Sequence, residues 1–485
     1  MKNMTLQNIA DACHGVLAGG ALRKDNEITS AVLTSGQDTE ITSAVLDSRQ
    51  VTEGALFFAT IGERVDGHKF IGVVFEKGAC CVVTQKTPQQ VEEEFGIPVS
   101  CWGAYILVPD TLTALKEIAE FYRSTLNIPI VGITGSVGKT STKEYIAGVL
   151  AQKFHVLKTE GNYNNEIGVP LTLLKIREEH EAAVIEMGIS DFGEMHRLSK
   201  MVRPNICVIT NIGQCHLENL KTRDGILKAK SEIFDFMDPE GEVCLNGEDD
   251  KLSTVTNVNG KPVHFFGLGG NPFEEVYADE VVSKGLFGSE AILHLKTDEV
   301  LPITVTLPGA HMVINAAAAA CVGRILGLTN DQLAEGIRSV EPVNGRSHLI
   351  QVPGYTLIDD CYNANPVSMA AAIDLLTMAD NRKIAILGDM FELGEDSDKM
   401  HEQTGEYAAR AGLDIIICIG ENSRHMYQGA GERGNSNVKF FATREDFLAA
   451  WEEQGEELLP TDSTILVKAS HSMGFEKIVD ALSSR

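Results

Sequence analysis

Residues 130–142, IVGITGSVGKTST, run an apolar strand into a glycine turn, a lysine and a string of hydroxyl residues. A strand that hands over to a helix through such a turn begins a parallel β–α unit, and the turn is a cradle for phosphate. Gly135 and Gly138 let backbone N–H groups approach anionic oxygens, and Ser136 and Ser141 add hydroxyls. Lys139 brings a mobile cation, and Thr140 can place its hydroxyl on Mg²⁺. The helix that starts there turns its positive end toward the same anion. The segment predicts binding of ATP or GTP. In the broad P-loop pattern a glycine stands where this chain has Ile133, so the loop is a compact variant.

A chain of 485 residues exceeds one core and predicts about three domains. Its 41 Lys plus Arg against 68 Asp plus Glu, a formal charge of −27, exclude a nonspecific grip on nucleic acid or on an anionic membrane. The N-terminal MTLQNIADACHGVL spaces its apolar residues helically, unlike a secretory signal, and no apolar run reaches membrane-spanning length. The ten cysteines are scattered without a CxxC pair, so neither a disulfide framework nor a zinc site is signalled. The expectation is a cytoplasmic monomer without membrane insertion or nucleic-acid partner.

Along the chain, residues 1–127 mix short strands (ALFFATIG, ACCVVTQ, AYILVPD) with helical stretches and end in the amphipathic TLTALKEIAEFYR. Asn127 and Pro129 suggest a hinge before the phosphate-loop strand. Residues 128–342 then alternate FHVLKT, AAVIEMG, ICVITNI and EVCLNG with helix-length segments, which argues for a largely parallel sheet. HFFGL, AILHL and ITVTL read as an antiparallel patch. Residues 343–485 restart the alternation with YTLIDD, KIAILGD, DIIICIG and STILVKA, a Rossmann-like unit without GxGxxG. The predicted class is therefore α/β in three domains. A near-tandem duplication, EITSAVLTSGQDT at 27–39 and EITSAVLDSRQVT at 40–52, leaves either copy able to pair as a strand. The second copy, followed by Asp47, Ser48 and Arg49, is expected to take it.

Four segments after the loop offer groups to a nucleotide. GNYNNEIGVPLTLL is rich in amides, including Asn164 and Asn165. Glu186 ends an apolar strand, where ligands gather in open α/β sheets. His216 follows another strand end, and Lys230 lies on a helical segment. Singly, each is as well explained by a satisfied structural residue; their order after GKT is what carries weight.

These segments resemble the Mur ligases of bacterial peptidoglycan synthesis, whose superfamily shares the TGSxGKT[ST] loop with folylpolyglutamate synthetases. GNYNNEIGVPLTLL, EMGISDFGEMHRL, TNIGQCHLENL, LPGAHMVINAAAA, DDCYNANPVSM and LGDMFELG, with DSR and DGHKF near the N-terminus, carry the resemblance over almost the whole chain. YNANP and GDMxELG are similar to the branch that adds D-alanyl-D-alanine. Near the C-terminus the family reads KGSR where this chain has Lys468, Ala469, Ser470 and His471.

The resemblance implies an ATP-dependent ligase that joins D-Ala-D-Ala to UDP-N-acetylmuramoyl-tripeptide through an acyl phosphate, with mobile domains closing over the intermediate. It gives Lys139 the phosphates, Thr140 and Glu186 one Mg²⁺, and Glu186 and His216 a second. Lys230 becomes a carbamylated residue at the metals; the alternative is an ammonium paired with Glu232 or another carboxylate. Arg346 is implied at the γ-phosphate, His311 and Asn315 at adenine and ribose, and Asn363, Asn365 and Lys468 at the incoming dipeptide. Asp360 either orients Lys468 or accepts the amine proton. Ser48, Arg49, Asp66 and His68 are implied at the uridine diphosphate sugar, against an account in which Asp66 and Gly67 form a turn and Arg49 a surface salt bridge. Two rivals stay open: a sibling amide ligase, and a P-loop switch that hydrolyses ATP without an acceptor.

Overall fold

The computed structural model describes residues 1–19, 40–295, 299–432 and 437–484. It is an α/β protein whose three main sheets define three domains.

The first sheet has five strands, β1 (Val16–Ala18), β2 (Ser43–Val45), β3 (Ala55–Phe58), β4 (Cys81–Thr84) and β5 (Ala104–Leu107), in the order β1-β5-β4-β3-β2. Strand β2 lies in the second copy of the duplicated segment and pairs parallel to β3, Ser43 opposite Ala55. The first copy, 27–39, lies outside the described residues. Helix Thr111–Thr125 follows, its start fixed by Asp110, whose side chain accepts from the Thr113 N–H.

The expected hinge at Asn127 and Pro129 is instead flanked by a clamp. One continuous apolar core joins the first domain to the second through Leu115, Ile118, Ala119 and Tyr122 of that helix, packed with Leu173, Leu198 and Val202. The Tyr122 hydroxyl donates to the Ile176 carbonyl at 2.6 Å. Buried Arg123 donates to the carbonyls of Val202 (2.7 Å), Arg203 (2.9 Å) and Leu126 (3.2 Å). Domains joined by a shared core and buried hydrogen bonds do not swing about the peptide between them.

The second sheet runs β16-β15-β14-β13-β10-β9-β6-β8-β7. Strands β6 (Ile130–Thr134), β7 (Val156–Lys158), β8 (Ala182–Glu186), β9 (Ile206–Ile209) and β10 (Glu242–Asn246) are parallel. A separate ribbon pairs β11 (Asn257–Val258) with β12 (Lys261–Pro262). The expected antiparallel patch is shifted: HFFGL forms β13 (His264–Gly267), which is parallel to both neighbours. The meander consists of β14 (Glu274–Ser283), β15 (Ser289–Leu295) and β16 (Glu299–Val305). Strand β14 was hidden because EEVYADEVVS carries four carboxylates and lacks an apolar run. The alanine run of helix Ala310–Ile325 is fully buried, as helix packing requires, with Ala316 through Ala320 at zero exposure.

The third sheet is β17 (His348–Val352), β18 (Tyr355–Asp359), β22 (Ser463–Lys468), β19 (Arg382–Gly388), β20 (Ile415–Ile419) and β21 (Val438–Phe441), in that order. All pairs are parallel except β17–β18. Alternate residues feed two cores, Ile358, Leu466 and Leu387 on one face and Leu357, Ile465 and Ile386 on the other. A sheet covered on both faces reads as unbroken apolar runs, which is how its four long strands were legible.

Arg123→Met is expected to destabilise the unit formed by the first two domains by about 2–3 kcal/mol, because the buried Val202 carbonyl and the part-buried carbonyls of Arg203 and Leu126 lose a charged donor. Urea unfolding followed through the fluorescence of Trp102 checks it.

Candidate active site

The carboxyl ends of β6, β8 and β9 meet at one edge, where Glu186 is in register with Ile133 and Thr134 with Ile209. A cavity of about 740 Å³ opens there and is walled by the second and third domains, with Leu112 and Lys116 from the helix of the first.

Its floor is the phosphate loop. Gly138 caps helix Lys139–Leu150 at φ 82°, a conformation that a side chain would strain. Thr142 makes the first intrahelical bond, to the Gly138 carbonyl at 2.8 Å, so the N–H groups of Lys139, Thr140 and Ser141 precede the ladder and suit an anion. A Cβ at Gly135 would run into the Thr210 hydroxyl. That hydroxyl donates to the Val137 carbonyl at 2.6 Å, while Asn211 Oδ1 accepts from Ser136 and Val137 N–H at 3.1 and 2.9 Å. Thr210 and Asn211 therefore buttress the loop. Sequence reasoning passed over them although they open the quoted TNIGQCHLE. Lys139 Nζ donates to the Gly135 carbonyl at 2.9 Å.

Glu186 is 1% exposed and holds two donors: the Thr140 hydroxyl at 3.0 Å and Asn164 Nδ2 at 2.8 Å. Buried Lys143 lies 4.0 Å from it, another residue that sequence reasoning missed. A carboxylate beside a hydroxyl is an all-oxygen donor pair that suits a hard cation. Among the described residues no cluster of three or more His, Cys, Asp or Glu could hold a metal. That combination fits Mg²⁺, which takes one or two carboxylates and leaves its other positions to water and phosphate.

Other expected residues fall in several classes. Arg346 comes from the third-domain side, donates to the Thr140 hydroxyl at 3.2 Å and stacks on Tyr362. Lys468, 2% exposed, pairs with Asp360 at 2.6 Å, and the second Asp360 oxygen accepts from the Ser347 N–H at 2.9 Å. Both carboxylate oxygens are thus engaged, which favours the orienting role for Asp360. His311 and Asn315 line the cavity; Asn315 Oδ1 accepts from the Thr142 hydroxyl at 3.0 Å. Burial pushes the His311 pKa down, Asp360 opposing and Lys468 reinforcing. Asn165 and Asn365 also line it, but Asn165 Oδ1 accepts from the N–H groups of Ile167 and Gly168 and Asn365 caps helix Pro366–Thr377, so they shape backbone first. Asn363 contributes its carbonyl, which accepts from Lys468 at 3.0 Å.

His216 does not turn to Glu186. Its Nδ1 lies 2.6 Å from Glu392 of the third domain, a carboxylate that the quoted LGDMFELG contained without an assigned role. That contact holds Glu392 below the usual carboxylate range. His216 and Glu392 line the cavity, whereas Lys230, 1% exposed, does not. The alternative pairing with Glu232 is absent because the Glu232 carboxylate accepts from the N–H groups of Gly193 and His196. Burial, with Lys139 adding repulsion, brings the Lys230 pKa down to about 8.

The first-domain group is not part of this cavity. His68 is fully buried with both ring nitrogens engaged, Nδ1 by Asp66 at 2.6 Å and Nε2 by the Gln85 N–H at 3.3 Å. In this structure the ring serves the turn and the neighbouring strand end rather than an open surface. Asp66 caps the short turn at Gly67–Phe70 and pairs with Lys86 at 2.9 Å. Arg49 forms a surface pair with Asp47 at 2.7 Å, the blander of its two readings, and Ser48 gives its carbonyl to Lys77.

A phosphate-loop α/β protein that offers a cation-binding carboxylate and an arginine and a lysine from a further domain is built to move a phosphoryl group between bound partners. Three family models match in succession: Mur ligase family, catalytic domain at residues 40–123; Mur ligase middle domain at 133–323; and Mur ligase, glutamate ligase domain at 345–471. The chain is 34% identical over 432 residues to the UDP-N-acetylmuramoyl-tripeptide--D-alanyl-D-alanine ligase of Bacillus subtilis (strain 168), covering 88% of this chain and 90% of that one. It is 32% identical to the enzyme of the same name from Escherichia coli (strain K12), over 99% of both chains. A crystal structure of MurF from Acinetobacter baumannii superposes with a TM-score of 0.84 at 30% identity over 99% of both chains. MurF ligase from Thermotoga maritima in complex with ADP gives 0.76 at 27% identity, covering 91% of this chain and 97% of that one. The chain belongs to the Mur ligase family.

The buried Lys230 makes a pH prediction. Its folded-state pKa of about 8 lies below the ordinary 10.5, so between those values the unfolded chain binds more protons at this residue and its own contribution to stability rises with pH. That contribution, about 2–3 kcal/mol, should appear as the difference between the parent and Lys230→Met slopes, because buried thiols such as Cys13 and Cys80, raised to about 11, pull the slope of both proteins the other way. Urea unfolding at pH 7.5 and 10 in bicarbonate-free buffer measures both slopes.

Proposed function

We propose that this protein is an ATP- and Mg²⁺-dependent ligase that joins D-alanyl-D-alanine to UDP-N-acetylmuramoyl-tripeptide, giving the pentapeptide precursor of peptidoglycan with ADP and phosphate. The observation that carries the reading is the convergence of Lys139, Thr140, Glu186, Arg346 and Lys468 on one cavity between the second and third domains. The names of the relatives supply the substrates. We place the enzyme in the cytoplasm as a monomer that serves wall synthesis and, through it, cell shape and division. Its domains are 1–127 for the sugar nucleotide, 128–342 for ATP and 343–485 for closure and the dipeptide.

A carboxylate resists an amine because it is anionic and its leaving group is poor. Attack of a tripeptide carboxylate oxygen on the γ-phosphorus, with departure of ADP, removes both obstacles. The amine of the dipeptide then adds to the acyl carbonyl and phosphate leaves. The protein's contribution is positioning and charge neutralisation. Lys139 and the N–H groups at the helix start hold the phosphates, and Arg346 brings a permanently charged fork to the γ-phosphate across the domain boundary. Thr140 and Glu186 would hold Mg²⁺, which when bound neutralises charge on the β- and γ-phosphates. Lys468, aimed by Asp360, offers its ammonium to the dipeptide or the departing phosphate. Closure of the third domain over the cavity keeps water from the acyl phosphate.

His216 and Lys230 belong to a second metal position in this reading. Lys230 would act as a carbamate, since a lysine with a lowered pKa has the neutral amine needed to add CO₂. His216 would leave Glu392 to take part.

Phosphate release is expected only when ATP, Mg²⁺, the nucleotide tripeptide and D-Ala-D-Ala are all present, with one pentapeptide formed per phosphate. Steady release without an acceptor would favour a P-loop switch, and extension of a different substrate a sibling ligase. Lys230→Ala should lose about a hundredfold in kcat, and recover part of it with added short carboxylic acids. A loss that no carboxylic acid restores would argue against the carbamate.

A further inference from the structure

Arg346 has a long, flexible side chain, yet its segment is pinned residue by residue to the YNANP loop. The Tyr362 N–H donates to the Gly345 carbonyl at 3.2 Å. Gly345 adopts φ 74°, and a Cβ there would lie 3.1 Å from the Tyr362 Cβ. On the other side of Arg346, the Ser347 N–H donates to Asp360 at 2.9 Å, the same carboxylate that holds Lys468. Between these two anchors the guanidinium stacks on the Tyr362 ring, 3.8 Å from its centroid, and donates to the Thr140 hydroxyl at 3.2 Å. His471, one of the two departures from the family pattern, packs against the same ring at 5.4 Å between centroids. An arginine at that position would bring a second guanidinium to the ring that Arg346 uses.

We propose that Tyr362 is a positioning residue for Arg346: its ring fixes the plane of the guanidinium so that the fork meets the phosphate loop already oriented. Stacking restricts the rotamers of a side chain that is otherwise costly to order, and it leaves the in-plane N–H donors free for phosphate oxygens. The role rests on the ligase reading of the cavity. It also ties the dipeptide side of the site to the nucleotide side, since one loop carries Tyr362, Asp360 and Asn363.

The test is steady-state kinetics with ATP, nucleotide tripeptide and D-Ala-D-Ala, together with ADP binding by fluorescence titration. Tyr362→Phe keeps the ring and should stay within about threefold of the parent kcat. Tyr362→Leu and the bulk-preserving Tyr362→Met should each lose about tenfold in kcat. ADP affinity and the KM for D-Ala-D-Ala should stay within about threefold, because the interaction lost is one made in the transition state. The role is overturned if a folded Leu or Met variant keeps the parent kcat. It is overturned equally if Phe falls as far as Leu, or if the whole loss appears in the KM for the dipeptide. A parent protein with no D-Ala-D-Ala-dependent turnover would overturn the ligase reading instead, before any variant is compared.

Discussion

The hydroxyl of Thr140 is the point at which the molecule is tied together. It donates to Glu186 at the end of one strand and accepts from Arg346 of the third-domain side, while its own backbone begins the phosphate-loop helix. A hydroxyl can give one hydrogen bond and take two, so this single group can join three elements without leaving a buried polar atom unpaired. The geometry depends on the glycines on either side of the turn and on the Thr210–Asn211 buttress that fixes Ser136 and Val137. Moving the helix start would separate the carboxylate from the arginine at once.

The clamp between the first two domains gives this junction its meaning. With helix Thr111–Thr125 sharing the core of the second domain, the first domain and the phosphate loop form one rigid platform. The contacts of the third domain with that platform around the cavity are of another kind. Arg346 to Thr140 and His216 to Glu392 are single polar contacts, the second with a carboxylate more than half exposed. Polar contacts of this sort exchange readily with water or ligand, whereas a shared apolar core does not. The contacts that tie the third domain to the cavity are therefore made by residues that carry charge, while Leu286 of the second domain adds an apolar contact to the third-domain core away from the cavity lining.

Much of this was legible in the sequence because the strands buried on both faces are unbroken apolar runs and the phosphate loop requires its own residue types in order. The parts that escaped have physical reasons. Strand β14 is studded with carboxylates because the meander is solvated on one face. Asn211 and Lys143 act on other protein groups rather than on a ligand, and nothing in residue type alone separates such a role from that of a polar side chain facing water. His68 is an opposite case: DGHKF resembles a ligand-binding segment, but the histidine is consumed by Asp66 and Gln85 in building the turn. Glu392 and Tyr362 were both visible in quoted motifs, yet their partners, His216 and Arg346, come from distant stretches of the chain, and only the fold brings them together.

Charge sets the last constraint. The chain carries a formal −27, and a field of that sign opposes the approach of nucleotides and of a carboxylate substrate. The cavity answers locally with Lys139, Arg346 and Lys468 and with the N-terminal end of a helix, but Glu186 and Asp360 stand among them. With one arginine and three lysines against the carboxylates of Glu166, Glu186, Glu194, Asp360 and Glu392, the cavity lining alone supplies too little positive charge to hold a triphosphate beside another anion. The buried Glu186 carboxylate beside the Thr140 hydroxyl stands where a divalent cation accompanying the nucleotide would offset that deficit, a place that a further lysine would deny it.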